Sequence, residues 1–247
     1  MNKNTSPIME GTALTAPLKK LWKNEYFQTA VVIGVIVLVV FGFWFGSQAV
    51  LNTPIPAVAV VSGSMCIPYD SVCDGWTHPF ARTLHIGDLL IVQGVNPKDL
   101  NTNYPNSDII VFQRPDRPDD PDAKIVHRIV GKVEVNGTLY FYTKGDGNSG
   151  YKWPDDPHGI VDPWHPSPSD PSSTYNGAVR QDFVYGRVVM RIPWLGHIVL
   201  FMNPKTNPIG LPIVVALIIL LVIIEFIAPL LRGKKEPEQQ KEARQQP

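Results

Sequence analysis

The chain has 247 residues with 22 basic and 22 acidic side chains, so its formal net charge is zero. This length allows one sizeable domain together with membrane segments, or two small domains. A neutral chain has no general electrostatic attraction to nucleic acid, which is therefore excluded as an expected partner. The charges are also unevenly placed, because two long apolar stretches carry almost none of them.

The first of these stretches predicts a transmembrane helix over residues 27–50. It supplies the roughly 20 apolar residues that a helix needs to cross a bilayer core. Lysines precede it at Lys19, Lys20 and Lys23, and the positive-inside rule therefore puts residues 1–26 in the cytoplasm. The stretch is longer than the ~7–15 apolar residues of a cleavable signal peptide, which favours a retained anchor.

The second stretch predicts another transmembrane helix over residues 209–231. Arg232 and two lysines follow it, so this end is expected in the cytoplasm as well. The two helices then form a hairpin with residues 51–203 outside the cytoplasm. Residues 232–247 are rich in Glu, Gln and Lys, which predicts a disordered and solvated cytoplasmic tail.

The segment between the two stretches is predicted to be an all-β domain, because short β-branched and aromatic runs alternate with turn residues. Asn136-Gly137 lies between residues 133–135 and 139–142, and this dipeptide is a strong signal of a β-hairpin. Asn136 also begins a glycosylation sequon, which is relevant if the domain faces outside. The other predicted strands cover residues 89–92, 108–112, 125–130, 184–190 and 198–201.

Two inserts rich in proline and aspartate, residues 114–123 and 153–173, are predicted surface loops because proline disrupts strand pairing. They lack the regular carboxylate spacing of a calcium-binding loop. The chain has two cysteines, Cys66 and Cys73, too few for a disulfide scaffold. They form either one small bridge outside the cytoplasm or two unpaired thiols. No metal site is predicted, because CxxC and HExxH spacings are missing.

Ser64 is the candidate nucleophile. A serine hydroxyl attacks poorly unless a neighbouring base removes its proton. Ser64 follows an extended apolar run just after the first predicted helix, and Gly63 permits a tight turn that exposes the hydroxyl. Such a turn also directs backbone N–H groups towards an oxyanion. By itself, however, Ser-Gly-Ser is ordinary loop composition.

Residues further along the chain supply the other groups of an acyl-transfer triad. His127 lies in an apolar predicted strand, and Asp146 lies in a turn-like Lys-Gly-Asp-Gly-Asn segment. Asp155 and Asp156 come shortly afterwards. Each of these residues alone also fits a structural role, as a strand histidine bonded to a neighbour or as a turn carboxylate.

Residues 62–65, 85–90, 107–112, 126–128 and 144–146 follow one another along the chain in a recognisable order. This order resembles that of the signal peptidase I family, and the resemblance covers residues 30–203. The bacterial branch of that family uses a Ser/Lys dyad, whereas the archaeal and endoplasmic-reticulum branch carries histidine where this chain has His127. The match is closer to the second branch.

The resemblance implies a signal peptidase/LexA-like β fold and a membrane-bound serine endopeptidase that removes N-terminal signal peptides. Cleavage is expected after small residues in an Ala-x-Ala pattern. Secretory preproteins, membrane lipid and the Sec translocon are the expected partners, and accessory subunits stay open. The expected location is the cell membrane or an endoplasmic-reticulum-type membrane. This chemistry requires neither a metal nor an organic cofactor.

The resemblance also implies roles for individual residues. Ser64 is the nucleophile, His127 is the general base, and the Ser62 hydroxyl joins the Ser64 N–H in the oxyanion hole. The family has Glu-Pro after Ser-Met, whereas this chain has Cys66 there, so this loop is expected to depart from the family pattern. Whether a bridge from Cys66 to Cys73 remodels it stays open.

The triad carboxylate is harder to carry over. In the family it follows the Lys-Gly-Asp segment at a spacing that falls on Lys152 in this chain. Asp156 is therefore predicted to orient the histidine, with Asp155 as the alternative. Asp146 resembles the other functional aspartate of the family.

Two other interpretations remain open. A Ser/Lys peptidase of the same fold would use Lys124, but residues three apart in a strand point to opposite faces. Lys124 and His127 therefore do not both face Ser64, and His127 is favoured. A non-catalytic, membrane-tethered β domain would explain the apolar stretches and the strands, but not the ordered segments.

Overall fold

A computed structural model describes residue 22 and residues 24–67, 83–148, 162–164 and 171–232. The chain divides into two units, Met1–Asn52 and Thr53–Pro247. The described part of the first unit is dominated by helix α1 (Glu25–Leu51). The described part of the second unit contains a β-sheet and the helices α2 (Gly196–Met202) and α3 (Gly210–Arg232).

Helix α1 has clear stop and start signals at its two ends. The Asn24 side chain accepts the N–H of Tyr26 at 3.0 Å, and Asn52 ends the helix in the left-handed conformation with φ 50°. Within the described residues, Tyr26–Leu51 is the one helix long and apolar enough to cross a membrane. Its bounds agree with the helix expected over residues 27–50, and its insertion into a membrane stays a prediction.

The described residues of the second unit form an eight-stranded sheet in which neighbouring strands run antiparallel. The prediction of an all-β domain is therefore confirmed. The order across the sheet is β1-β2-β8-β3-β4-β5-β7-β6. The strands are β1 (Ala57–Ala59), β2 (Leu89–Gln93), β3 (Ile109–Gln113), β4 (Lys124–Val135), β5 (Thr138–Lys144), β6 (Thr174–Tyr175), β7 (Ala178–Arg180) and β8 (Val184–Ile192).

The hairpin predicted at Asn136-Gly137 connects β4 and β5, with Val135 opposite Thr138. Asn136 has φ 50° and Gly137 has φ 79°. A tight hairpin turn requires positive φ at both central residues, and asparagine and glycine tolerate this conformation best. The local sequence thus sets the register of the longest strand pair, which also carries His127.

Two apolar clusters fill the space on the sheet. The larger is built on side chains with no exposed surface, among them Ile110, Phe112 and Phe141. The smaller contains Met65 and Leu90, and it lies at the segment that carries Ser64. Fully burying a side chain of this size contributes roughly 1.5–3 kcal/mol, so Met65 is a firm anchor for its neighbour.

The strand predicted over residues 198–201 is wrong, because these residues lie in helix α2. A short apolar run does not reveal its period, so strand and helix are equally compatible with it. Side chains of α2 are largely exposed, including Ile198 and Phe201. The short strands β6 and β7 were not predicted, since each has too few residues to show an alternating pattern.

Candidate active site

Ser64 lies in a single turn of 3₁₀ helix, Gly63–Met65, a few residues after β1. The N–H of Cys66 donates to the Gly63 carbonyl oxygen at 2.9 Å and closes the turn. Met65 is 1% exposed and packs into the smaller apolar cluster. Ser64 itself is half-buried. The buried Met65 side chain therefore anchors the turn, while the Ser64 side chain does not enter the apolar cluster.

The Lys-Gly-Asp-Gly-Asn segment holds this turn through backbone contacts. The N–H of Gly147 donates to the Ser64 carbonyl oxygen at 2.9 Å, and the N–H of Asp146 contacts Met65 Sδ at 3.4 Å. A Cβ added at Gly145 would lie 2.5 Å from the Ser64 carbonyl oxygen, and one at Gly147 would collide with the Cys66 carbonyl. Only glycine permits so close an approach at both positions.

Residues 85–88 hold the strand that leads into the turn. The Val60 N–H donates to the Asp88 carbonyl oxygen at 2.9 Å, and the Gly87 N–H donates to the Val60 carbonyl oxygen at 3.0 Å. The Asp88 side chain accepts the His85 N–H at 2.8 Å and lies 3.5 Å from Arg191. Burial raises the pKa of the Asp88 carboxyl above its ordinary value. This segment therefore supports the site without reaching Ser64.

His127 lies on β4 opposite Ile110, and its ring reaches the 3₁₀ turn that carries Ser64. Its Nε2 is 3.0 Å from Ser64 Oγ, and its side chain is 7% exposed. This is the distance at which an imidazole nitrogen removes a hydroxyl proton. The structure thus brings together the two residues expected to act as nucleophile and base.

Asp162 lies on the other side of the imidazole, with Oδ2 2.5 Å from His127 Nδ1. Because a carboxylate only accepts hydrogen bonds, the proton of neutral His127 belongs on Nδ1, and Nε2 faces Ser64 as an acceptor. Asp155 and Asp156, which were expected in this role, lie outside the described residues. The prediction for Asp155 and Asp156 therefore stays a prediction, and Asp162 is the candidate triad carboxylate among the described residues.

Sequence reasoning missed Asp162 because it counted spacing from the Lys-Gly-Asp segment and treated residues 153–173 as a surface loop. One signal could have found it. Asp162 stands between Ile160-Val161 and Trp164, which are apolar residues in an otherwise polar insert. Such a patch indicates a point where the insert returns to the protein core.

Asp146 contacts an arginine. Arg128 Nε and Nη2 each donate to one of its carboxylate oxygens at 2.8 Å, and Arg128 Nη1 donates to the Ser107 carbonyl oxygen at 2.8 Å. The two side chains are 9% and 1% exposed. A two-pronged arginine–carboxylate pair is geometrically specific. Asp146 thus connects the Lys-Gly-Asp-Gly-Asn segment to Arg128 on strand β4, the residue next to His127.

Replacing Asp146 with alanine is expected to lower the free energy of unfolding by about 3–5 kcal/mol, because the buried Arg128 charge loses its counterion. Urea unfolding followed by circular dichroism measures this loss. The matched control is the double variant Arg128→Met, Asp146→Leu, which carries neither charge and is expected to be more stable than Asp146→Ala. Wild-type stability of Asp146→Ala would contradict a supporting role for the pair.

The remaining candidates have distinct positions. Ser62 Oγ is exposed and lies 3.4 Å from Ser64 Oγ. Lys124 Nζ donates to the Pro121 carbonyl oxygen, whereas His127 Nε2 lies within hydrogen-bond distance of Ser64 Oγ. Cys66 is buried and disulfide-bonded, whereas its expected partner Cys73 lies outside the described residues.

Comparison with known proteins gives three similar relatives, although no family model matches the chain. The protein named signal peptidase complex catalytic subunit SEC11 of Verticillium alfalfae is 27% identical over 174 residues, which cover 69% of this chain and 77% of the relative. Proteins of the same name from Chaetomium globosum and Fusarium vanettenii are each 27% identical, over 175 and 168 residues. These alignments cover 69% and 66% of this chain, and 77% and 73% of the relatives.

Proposed function

We propose that this peptidase of the signal peptidase I family, which is similar to endoplasmic-reticulum-type catalytic subunits, removes signal peptides from secretory preproteins by a Ser-His-Asp mechanism. The observation that supports this mechanism most directly is the continuous contact from Ser64 Oγ through the His127 ring to Asp162 Oδ2. Distances of 3.0 and 2.5 Å join the three side chains.

In the first half of the reaction, Ser64 Oγ attacks the scissile carbonyl carbon while His127 Nε2 takes the hydroxyl proton. The resulting imidazolium is stabilised by the Asp162 carboxylate at Nδ1, which also holds the ring in the productive tautomer. The tetrahedral intermediate then collapses as His127 gives its proton to the leaving amine. The mature protein departs, and the signal peptide is left as an ester of Ser64.

In the second half, a water molecule attacks the ester carbonyl and His127 takes one of its protons. Return of that proton to Ser64 Oγ releases the signal peptide with a new carboxylate end. In both halves a negative charge develops on the carbonyl oxygen. The Ser64 N–H and the Ser62 hydroxyl are the proposed donors to this oxygen, and one such donor is typically worth about 3–4 kcal/mol in the transition state.

The substrate is proposed to bind as an extended strand beside β1. Within the described residues β1 pairs with β2 alone and is the edge of the sheet, so its outer backbone groups face away from the sheet. An extended peptide adds to such an edge through main-chain hydrogen bonds. Because β1 leads towards Ser62, a peptide on this edge would have its scissile bond close to Ser64.

The proposed location is a membrane, with lipid and the secretory translocon as neighbours. Helix α1 is apolar over Tyr26–Leu51, with a mean hydropathy of 2.5. Helix α3 has an apolar part over Gly210–Ile224. Lysines before the first helix and basic residues after the second support a topology in which both termini are cytoplasmic and residues 51–203 lie outside.

Cleavage of a preprotein in proteoliposomes that contain the full chain tests this function. Mass spectrometry of the product is expected to locate the cut after the second alanine of an Ala-x-Ala signal sequence. Replacing that alanine with phenylalanine is expected to lower kcat/KM at least about tenfold, because a shallow pocket does not admit the larger ring.

The matched control is phenylalanine at the middle position of the same sequence. Side chains alternate along an extended strand, so this residue points away from the pockets and cleavage should stay within about threefold of the parent. Equal loss at both positions, or no cleavage of any preprotein, would reject the proposed substrate class.

A further inference from the structure

We propose that Thr143 and Trp164 are positioning residues that hold the Asp162 carboxylate in line with His127, an inference that rests on the proposed Ser-His-Asp mechanism. Thr143 Oγ1 lies 3.2 Å from Asp162 Oδ2. This is the same oxygen that contacts His127 Nδ1 at 2.5 Å. Trp164 Nε1 in turn lies 3.0 Å from Thr143 Oγ1.

The chemistry of these groups sets the direction of each hydrogen bond. An indole N–H only donates, so the Thr143 hydroxyl oxygen accepts from Trp164. The single hydrogen of that hydroxyl then points to Asp162 Oδ2, because an ionised carboxylate only accepts. Trp164 therefore fixes the rotation of the Thr143 hydroxyl, and Thr143 presents a donor to the carboxylate beside the imidazole.

Thr143 is a rigid base for this contact. Its side chain has no exposed surface, and it sits on β5 opposite Ile129 of β4, the strand that also carries His127. The Thr143 carbonyl oxygen accepts the Asp162 N–H at 3.0 Å. One sheet residue thus holds both the main chain and the side chain of Asp162, whose own segment is not a strand.

Trp164 is fixed by packing. Its ring meets Phe112 edge to face, with centroids 5.4 Å apart and planes at 82°. Phe112 has no exposed surface and belongs to the larger apolar cluster. Edge-to-face pairs contribute beyond their buried area, and the geometry restrains the indole in one orientation. The position of the triad carboxylate is thereby tied to the core of the sheet.

A purely structural contact and a positioning contact predict different results in a double-mutant cycle. If Thr143 acts through Asp162, removing its hydroxyl does not lower kcat further once the carboxylate is gone. If Thr143 only stabilises the fold, its removal costs the same factor whether or not Asp162 is present. Non-additivity between residues in contact is the quantity that separates the two roles.

The experiment measures preprotein cleavage by the full chain in proteoliposomes, with kcat and KM determined for each variant. Thr143→Val, which keeps the shape and removes the hydroxyl, is expected to lower kcat about tenfold with little change in KM. Thr143→Ser restores the hydroxyl and should stay within about threefold of wild type. In an Asp162→Asn background, Thr143→Val should change the residual rate less than about twofold.

Wild-type kcat in Thr143→Val, or an equal loss in both backgrounds, would overturn the inference. Trp164→Phe keeps an aromatic ring and removes the donor, so it repeats the test if Thr143→Val fails to fold. We expect this variant to lower kcat at least about threefold. Wild-type kcat in Trp164→Phe would overturn the inference. Ser64→Ala is measured in parallel. Activity in Ser64→Ala rejects the proposed mechanism, whereas an inactive Ser64→Ala with an unaffected Thr143→Val and Trp164→Phe rejects the positioning role alone.

Discussion

Replacing Ser64 with alanine is expected to lower kcat for preprotein cleavage by a factor on the order of 10⁶, the loss found when a serine peptidase loses its nucleophile. The methyl group cannot form the ester with the signal peptide, and the proton that His127 Nε2 would accept is gone. Substrate binding along the sheet edge is unchanged, so KM is expected to stay close to that of wild type. Single-turnover cleavage in proteoliposomes is the measurement.

Ser62→Ala is the matched control for this experiment. It removes a hydroxyl from the same turn, 3.4 Å from Ser64 Oγ, and leaves the nucleophile in place. Loss of one oxyanion donor lowers kcat by about 10²–10³, a far smaller effect than loss of the nucleophile. Substantial cleavage by Ser64→Ala would rule out a serine mechanism at this position.

Replacing Asp162 with asparagine is expected to lower kcat by about 10⁴. Asparagine keeps the shape of aspartate but presents an amide group that donates hydrogen bonds, which favours the tautomer with its proton on Nε2. That proton occupies the nitrogen lone pair needed by the Ser64 hydroxyl. Initial rates of preprotein cleavage measure the effect, and thermal unfolding should show a folded protein.

Asp155→Asn and Asp156→Asn are the comparison variants, since both residues compete with Asp162 for the third place in the triad. Each is expected to cleave at a rate within about threefold of wild type, because the contact at His127 Nδ1 already belongs to Asp162. An inactive Asp156→Asn together with an active Asp162→Asn would show that the triad carboxylate has been assigned to the wrong residue.

Much of the fold follows from local patterns in the sequence. A short run of aliphatic residues predicts β2, in which Leu90 and Val92 are fully buried and their neighbours are half-buried. Asn136-Gly137 forms the hairpin because its two residues tolerate positive φ. The apolar length of residues 27–50 agrees with α1. Each of these signals is contained within a few consecutive residues.

The pairing of Ser64 with His127 could also be anticipated, because the ordered segments indicate one site even though 63 residues separate the two side chains. Asp162, the proposed third member of the triad, could not be found by counting residues from the Lys-Gly-Asp segment. The insert between Asp146 and Asp162 changes the number of residues between the Lys-Gly-Asp segment and the carboxylate. A hydrogen bond depends on the position of the side chain in the folded protein, and not on this number. Helix α2 was missed for a related reason, since a short apolar run fits either period.

The class of the domain, the two apolar helices, the turn that carries Ser64 and the preference for His127 over Lys124 all follow from patterns in the sequence. Three features required the folded chain: the contact of Asp162 with His127, the pair formed by Asp146 and Arg128, and the close approach of residues 145 and 147 to the Ser64 turn. The physical reason is that strand period and turn conformation depend on neighbouring residues. The proposed triad instead depends on contacts between distant segments, which hydrogen bonding to Thr143 and packing against Phe112 bring together.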